Sequence, residues 1–142
     1  MKKAIKSTFS VVLVIFCLFS LAACGQAVDK TGVWEKATYL QDTTLGDGAK
    51  TVVVEVKAGE QAVTFTVKTD KDTVGAALLE HKLIAGDESE YGLYIKQVNG
   101  ITADYDVDKS YWAFYIDGKY ATSGADTTEI KEGVTYQFVY SK

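Results

Sequence analysis

From residue 51 onward, polar and apolar positions alternate along much of the chain. Thr51 to Lys57 sets Val52, Val54 and Val56 against Thr51, Val53 and Glu55, and Ala62 to Lys68 sets Val63, Phe65 and Val67 against Thr64 and Thr66. Successive side chains point to opposite faces of a strand, so each run predicts a strand with one dominant apolar face. Ala58-Gly59-Glu60 between them predicts a hairpin turn. The period changes after Asp70. Val74, Ala77, Leu78 and His81 fall at i, i+3, i+4 and i+7, a helical stripe of about ten residues that Asp72 is placed to cap. Strand signals return from Tyr91 to Val98, and Asn99-Gly100 reads as a turn. Tyr111 to Ile116 and Lys119 to Thr122 flank Asp117-Gly118, a two-residue loop of the hairpin type in which both residues take positive φ. Val134 to Tyr140 closes the pattern with Tyr136, Phe138 and Tyr140 on one face. Of the weaker stretches, Val33 to Leu40 reads as an edge strand or a packed arm, Leu45-Gly46-Asp47-Gly48 as a turn, and Asp87, Glu88 and Glu90 as a polar loop. The order β-β-α-β-β-β-β predicts an α+β architecture, with a single helix packed on one face of a sheet.

The N-terminus is written differently. Lys2, Lys3 and Lys6 precede a nearly unbroken apolar run from Val11 to Leu21, which ends in Leu21-Ala22-Ala23-Cys24-Gly25. The run is short for a bilayer span and has the basic, apolar and small-residue parts of an export signal. The final residues resemble a bacterial lipobox, which implies a signal peptide over 1–23, a diacylglyceryl group on Cys24 and a short linker over 24–32. The expected localisation is then the extracytoplasmic face of the cell membrane, held by the lipid, with the domain occupying 33–142. A plain signal peptide or an uncleaved signal anchor is the alternative.

Charge and cysteine usage narrow the functional classes. The 15 basic residues are all lysine and the formal charge is −4. Removing residues 1–23 leaves 12 Lys against 19 Asp+Glu, a charge of −7. That excess of acids argues against a nucleic-acid partner, whose phosphates need cationic side chains. Cys17 lies in the apolar run and Cys24 at the lipobox, so no thiol is left in the expected domain for a disulfide, a metal or a nucleophile.

Candidate chemistry is sparse. Asp104, Asp106 and Asp108 have the spacing that begins a calcium loop, but Lys109 and Tyr115 stand where that loop requires Gly and Glu, so the run reads as a solvated acidic turn and not a metal site. His81 is the only histidine and reads as structural, near a helix C-terminus. No serine lies in a nucleophile-elbow motif. The expectation is a protein with no catalytic residues, no metal site and no cofactor. The Asp117-Gly118 loop pairs Tyr115 with Tyr120, and alternation then divides the hairpin. Trp112, Phe114 and Ile116 share one face and read as core. Tyr111, Tyr115 and Tyr120 share the other, which reads either as a surface that stacks on a planar or sugar-like ligand or as a solvated sheet face.

Phe65-Thr66-Val67-Lys68, Leu78-Leu79, Tyr91-Gly92-Leu93-Tyr94-Ile95, Val98-Asn99-Gly100-Ile101, Tyr111-Trp112-Ala113-Phe114 and Val134-Thr135-Tyr136-Gln137-Phe138 occur in this order. The succession resembles the C-terminal β-domain of transcobalamin and gastric intrinsic factor. It is most similar to the bacterial transcobalamin-like C-terminal family of unknown function, which is often met as lipoproteins in Gram-positive bacteria. The resemblance implies a β-grasp-like mixed sheet and a small-molecule ligand of the corrinoid (cobalamin) type. The animal proteins hold cobalamin between this domain and a helical barrel that this sequence does not carry, so a partner protein is implied for tight capture, and no ligand-contacting residue carries over. The functional expectation is a surface-anchored, non-catalytic ligand-binding lipoprotein. The alternative is a protein-interaction or adhesion module that meets a surface protein.

Overall fold

A computed structural model describes residues 27–142. The signal peptide expected over 1–23 and the lipid-attachment residue Cys24 lie outside the described residues. The long strands form where the period-two runs predicted them. Thr43–Gly46 (β1), Lys50–Ala58 (β2) and Gln61–Thr69 (β3) precede the helix Val74–Glu80 (α1). Ile84–Ser89 (β4), Gly92–Val98 (β5) and Ile101–Thr102 (β6) follow, then a one-turn helix Tyr105–Asp108 (α2), Tyr111–Ile116 (β7), Lys119–Tyr120 (β8) and Thr135–Ser141 (β9). A six-stranded sheet runs in the order β1-β3-β2-β9-β7-β8, and β4-β5-β6 form a separate three-stranded sheet. The larger sheet is mixed, with β1 parallel to β3 and β2 parallel to β9. The fold is α+β, as the pattern predicted.

One face of the larger sheet makes the core. Val52, Val54 and Val56 of β2, Val63, Phe65 and Val67 of β3, and Phe138 of β9 are essentially removed from water. Against them pack Val74, Ala77 and Leu78 of α1, together with Leu83, Ile84, Val98 and Ile101 from the smaller sheet and its approach. The helix is shorter than its stripe, seven residues, and its cap is Thr73, whose Oγ1 accepts from the Ala76 amide at 3.2 Å. Asp72 instead meets Lys50 Nζ at 2.6 Å, and this cation holds its carboxyl below the usual carboxylate range.

One sequence alternative is decided and three expectations change. Val33 to Leu40 is a packed arm and not a strand: Gly32–Lys36 forms a 3-10 turn, and Trp34, 1% exposed, donates its indole N–H to Ala58 O at 3.0 Å. Leu45 and Gly46, expected in a turn, finish β1. Gly46 takes φ +78°, and a Cβ there would collide with Lys68 O and the His81 ring, so only glycine lets the edge strand lie this close. Asp87 and Glu88, read as loop, belong to β4. The expected single helix is joined by the one-turn α2, which Asp104 caps.

Candidate functional site

The turn chemistry positions the predicted aromatic residues. Asp117 and Gly118 take φ +49° and +79°, and the strands pair Tyr115 with Tyr120 and Ile116 with Lys119, the register expected from the loop alone. Trp112 and Phe114 are buried and Ile116 packs against the core. On the opposite face, Tyr115 and Tyr120 meet edge to face, 5.4 Å between ring centroids at 84°. Tyr115 lies opposite Gln137, whose Nε2 donates to Glu55 Oε1 at 3.0 Å, so this part of the face is polar. Tyr111 lies opposite Ser141, four residues from Tyr115 and so roughly 13 Å along the strand. The face brings two of the three tyrosines together and leaves the third apart.

Tyr111 and Tyr120 are instead joined by a cleft that pattern reading missed. β8 covers only the end of β7, and β5 approaches the uncovered part. Between them lies a cleft of about 230 Å³. Leu93, Tyr94 and Ile95 form one wall, Trp112, Phe114 and Phe138 the other, with Tyr111, Tyr120, Gly124 and Ala125 completing the lining. The aromatic wall is held rigidly. Phe114 stacks on Phe138 at 5.0 Å and on Tyr136 at 6.2 Å, while Trp112 meets Tyr140 edge-on at 5.5 Å and donates its indole N–H to Ile101 O at 3.1 Å. The β5 wall is fastened by Asp126, whose Oδ2 accepts from the Leu93 amide at 3.1 Å. The Leu93-x-Ile95 alternation was the available signal, but its packing partner lies across a long sequence gap.

An apolar cavity with a few phenol groups suits a planar or partly apolar molecule. Its lining includes no carboxylate, imidazole, amine or thiol, so it offers binding surface and no acid–base pair. Two carboxylates outside the cleft serve the fold. Asp104 caps α2 by accepting from the Asp106 amide at 3.0 Å. Asp108 accepts from the Ser110 amide at 3.1 Å and from its hydroxyl, and pairs with Lys142 Nζ at 3.0 Å. These bonds, Ser110 first and then Lys142, hold the Asp108 carboxyl below the usual range, and Asp108 raises Lys142 in return. Among the described residues, no three His, Cys, Asp or Glu side chains gather as metal ligands. His81 ends α1, with Nε2 buried, without a hydrogen-bond partner and 3.8 Å from Glu80 Oε2.

Comparison with known proteins adds the following. The family model described as a domain of unknown function, DUF4430, matches residues 71–142. A candidate metal-binding protein from Ruminococcus gnavus ATCC 29149 is similar with a TM-score of 0.61 and 29% identity, over 66% of this chain and 97% of that one. Haptocorrin in complex with Cbi is similar with a TM-score of 0.53 and 17% identity, over 68% of this chain and 26% of haptocorrin. At that identity the second likeness shows the fold alone, and the chain spans about a quarter of haptocorrin's length. The fold implied by the resemblance to the transcobalamin β-domain is therefore present. No curated protein sequence matches the chain.

Proposed function

The chain belongs to the DUF4430 family, and from that premise we propose that it is a non-catalytic ligand-binding domain, held at the outer face of the cell membrane through a lipid on Cys24. The observation that carries this reading is the cleft between β5 and β7, with its aromatic wall and its two tyrosines. The ligand it suits is a flat, partly apolar molecule of the corrinoid class. The fold shared with haptocorrin supports that class, since haptocorrin's structure holds Cbi. A corrinoid ring is far larger than 230 Å³, so this cleft grips one edge of it. An open, one-sided grip leaves little net affinity once association entropy is met, roughly micromolar or weaker. Tight capture then requires a second protein closing over the exposed side.

Trp112 makes the test direct, because it lines the cleft while Trp34, in the N-terminal arm, is buried in the core and does not line it. Titrating cobinamide, cobalamin or haem should change Trp112 emission in a saturable way, and Tyr111→Ala with Tyr120→Ala should weaken the effect about tenfold or more, roughly one stacking contact for each ring. Emission unchanged by all three ligands, or equal affinity in the double variant, would remove the cleft from consideration. One observation favours the protein-interaction alternative: Tyr91, at the tip of the β4–β5 hairpin, is 93% exposed. Retention of the protein on immobilised surface partners, lost in Tyr91→Ala and indifferent to corrinoids, would support that alternative instead.

A further inference from the structure

A second pocket, of about 300 Å³, opens where the β7–β8 turn, the 3-10 turn Ala125–Thr127 and the segment leading to β9 meet. It shares no lining residue with the aromatic cleft. Its apolar part is made by Ile116 and Val134 over the buried Tyr136, and its polar part includes Ser123, Glu129 and Lys131. Glu129 and Lys131 are exposed, and neither makes an ion pair among the described residues.

The wall that carries these two charges is fixed along both backbone edges. On one edge, Glu129 bridges Thr73 and the Ile130 amide donates to Asp72 O at 3.1 Å. On the other, the Tyr136 phenol donates to Glu129 O at 3.2 Å and accepts from the Lys131 amide at 3.1 Å. The segment is thus extended, with Ile130 packed against the core. Residues two apart in an extended chain project to the same side, about 6.6 Å from each other. One carboxylate and one ammonium are therefore carried on the same side of an ordered backbone, beside an apolar floor.

We propose that this pocket binds a free apolar α-amino acid. The ligand ammonium meets the Glu129 carboxylate, the ligand carboxylate meets the Lys131 ammonium, and the side chain lies on Ile116 and Val134. A simple anion or cation satisfies only one of the two protein charges and faces repulsion from the other. A neutral sugar satisfies neither. The compact zwitterion is the ligand that uses both and also covers the floor. Because the backbone of the wall is already ordered, the conformational entropy lost by the protein is that of the two charged side chains. Both charges stay near water, so the affinity is modest.

The test is ligand-observed saturation-transfer NMR on the whole protein, with L-leucine, L-leucinamide, N-acetyl-L-leucine and glucose as probes. L-leucine should bind, and each derivative lacking one charge should bind about fivefold more weakly, the upper range for an exposed ion pair. Lys131→Met should abolish the preference for leucine over leucinamide while keeping the preference over N-acetyl-leucine. Glu129→Gln should do the reverse. These are differences between ligands on one folded variant, so loss of fold cannot imitate them. The proposal is overturned if leucine shows no transfer, if glucose matches it, if leucine and its two derivatives bind alike, or if either variant keeps both preferences.

Discussion

The two longest hairpins of the molecule are built to opposite ends. β2 and β3 pair through nine consecutive positions, and their inward side chains are almost fully buried. β4 and β5 pair through six positions with a slip between Ala85 and Gly86, and five of the six β4 residues are exposed. The first hairpin has a helix over it and strands on both sides, so its register is fixed by what it buries. The second borders a cleft on one side and water on the other. A deeply buried platform beside a more exposed arm is the arrangement that the proposed binding cleft uses. The arm is aimed by single contacts, above all Asp126 on the Leu93 amide.

That contrast can be broken at either end. Phe65→Ala, in the platform, should cost about 3–5 kcal/mol in chemical denaturation, because a fully buried ring leaves a cavity that a nine-pair hairpin cannot collapse around. Leu93→Ala, in the arm, should cost less, about 1–2 kcal/mol, since its side chain already borders open space. Equal losses would show that the arm is as deeply built in as the platform. Asp126→Ala should cost about 1 kcal/mol of stability through the loss of one hydrogen bond. It should also raise hydrogen exchange at the β5 amides before any at β3. Tyr115→Ala should cost under about 1 kcal/mol, the value of one cross-strand aromatic pair on a wet face.

The smallest effect concerns acid. The Asp108 carboxyl is depressed in the folded protein by Ser110 and Lys142. A group whose folded pKa lies below its unfolded value stabilises above the unfolded pKa, and that contribution is lost as pH falls through the folded one. Asp108→Asn should therefore flatten the fall in melting temperature between about pH 5 and about pH 3, in the carboxylate range, and change little in the slope near neutrality. An unchanged acid slope would show that the surface pair contributes nothing.

The platform was legible in the sequence because burial on one face imposes strict alternation, and the β7–β8 register because two residues at positive φ admit few geometries. Regions that obey other constraints were hidden. β4 is exposed along nearly its whole length, so Gly86, Asp87 and Glu88 carry no alternation to read. β1 has only four residues, and its final glycine, required by the His81 ring, imitates a turn. Of the candidate site, the alternation placed Tyr115 and Tyr120 together, but the cleft that recruits Tyr111 depends on β5 reaching β7 across the chain.

The N-terminal arm has a mechanical consequence. Residues 27–42 are closed on themselves by the Val28 amide on Leu40 O and fastened to the domain at several points: the Asp29 amide to Gln61 Oε1, the Trp34 indole to Ala58 O, and both backbone groups of Tyr39 to the buried side chain of Asn99. Tension arriving from the N-terminal side therefore loads these contacts before it reaches the strands. The bonds of Asp29 and its neighbours lie at the surface, whereas Trp34 is sunk in the core and is the most deeply buried hold of the arm. The strands that line both pockets lie beyond that anchor, so a pull on the proposed lipid tether would reach Trp34 before it reached either pocket.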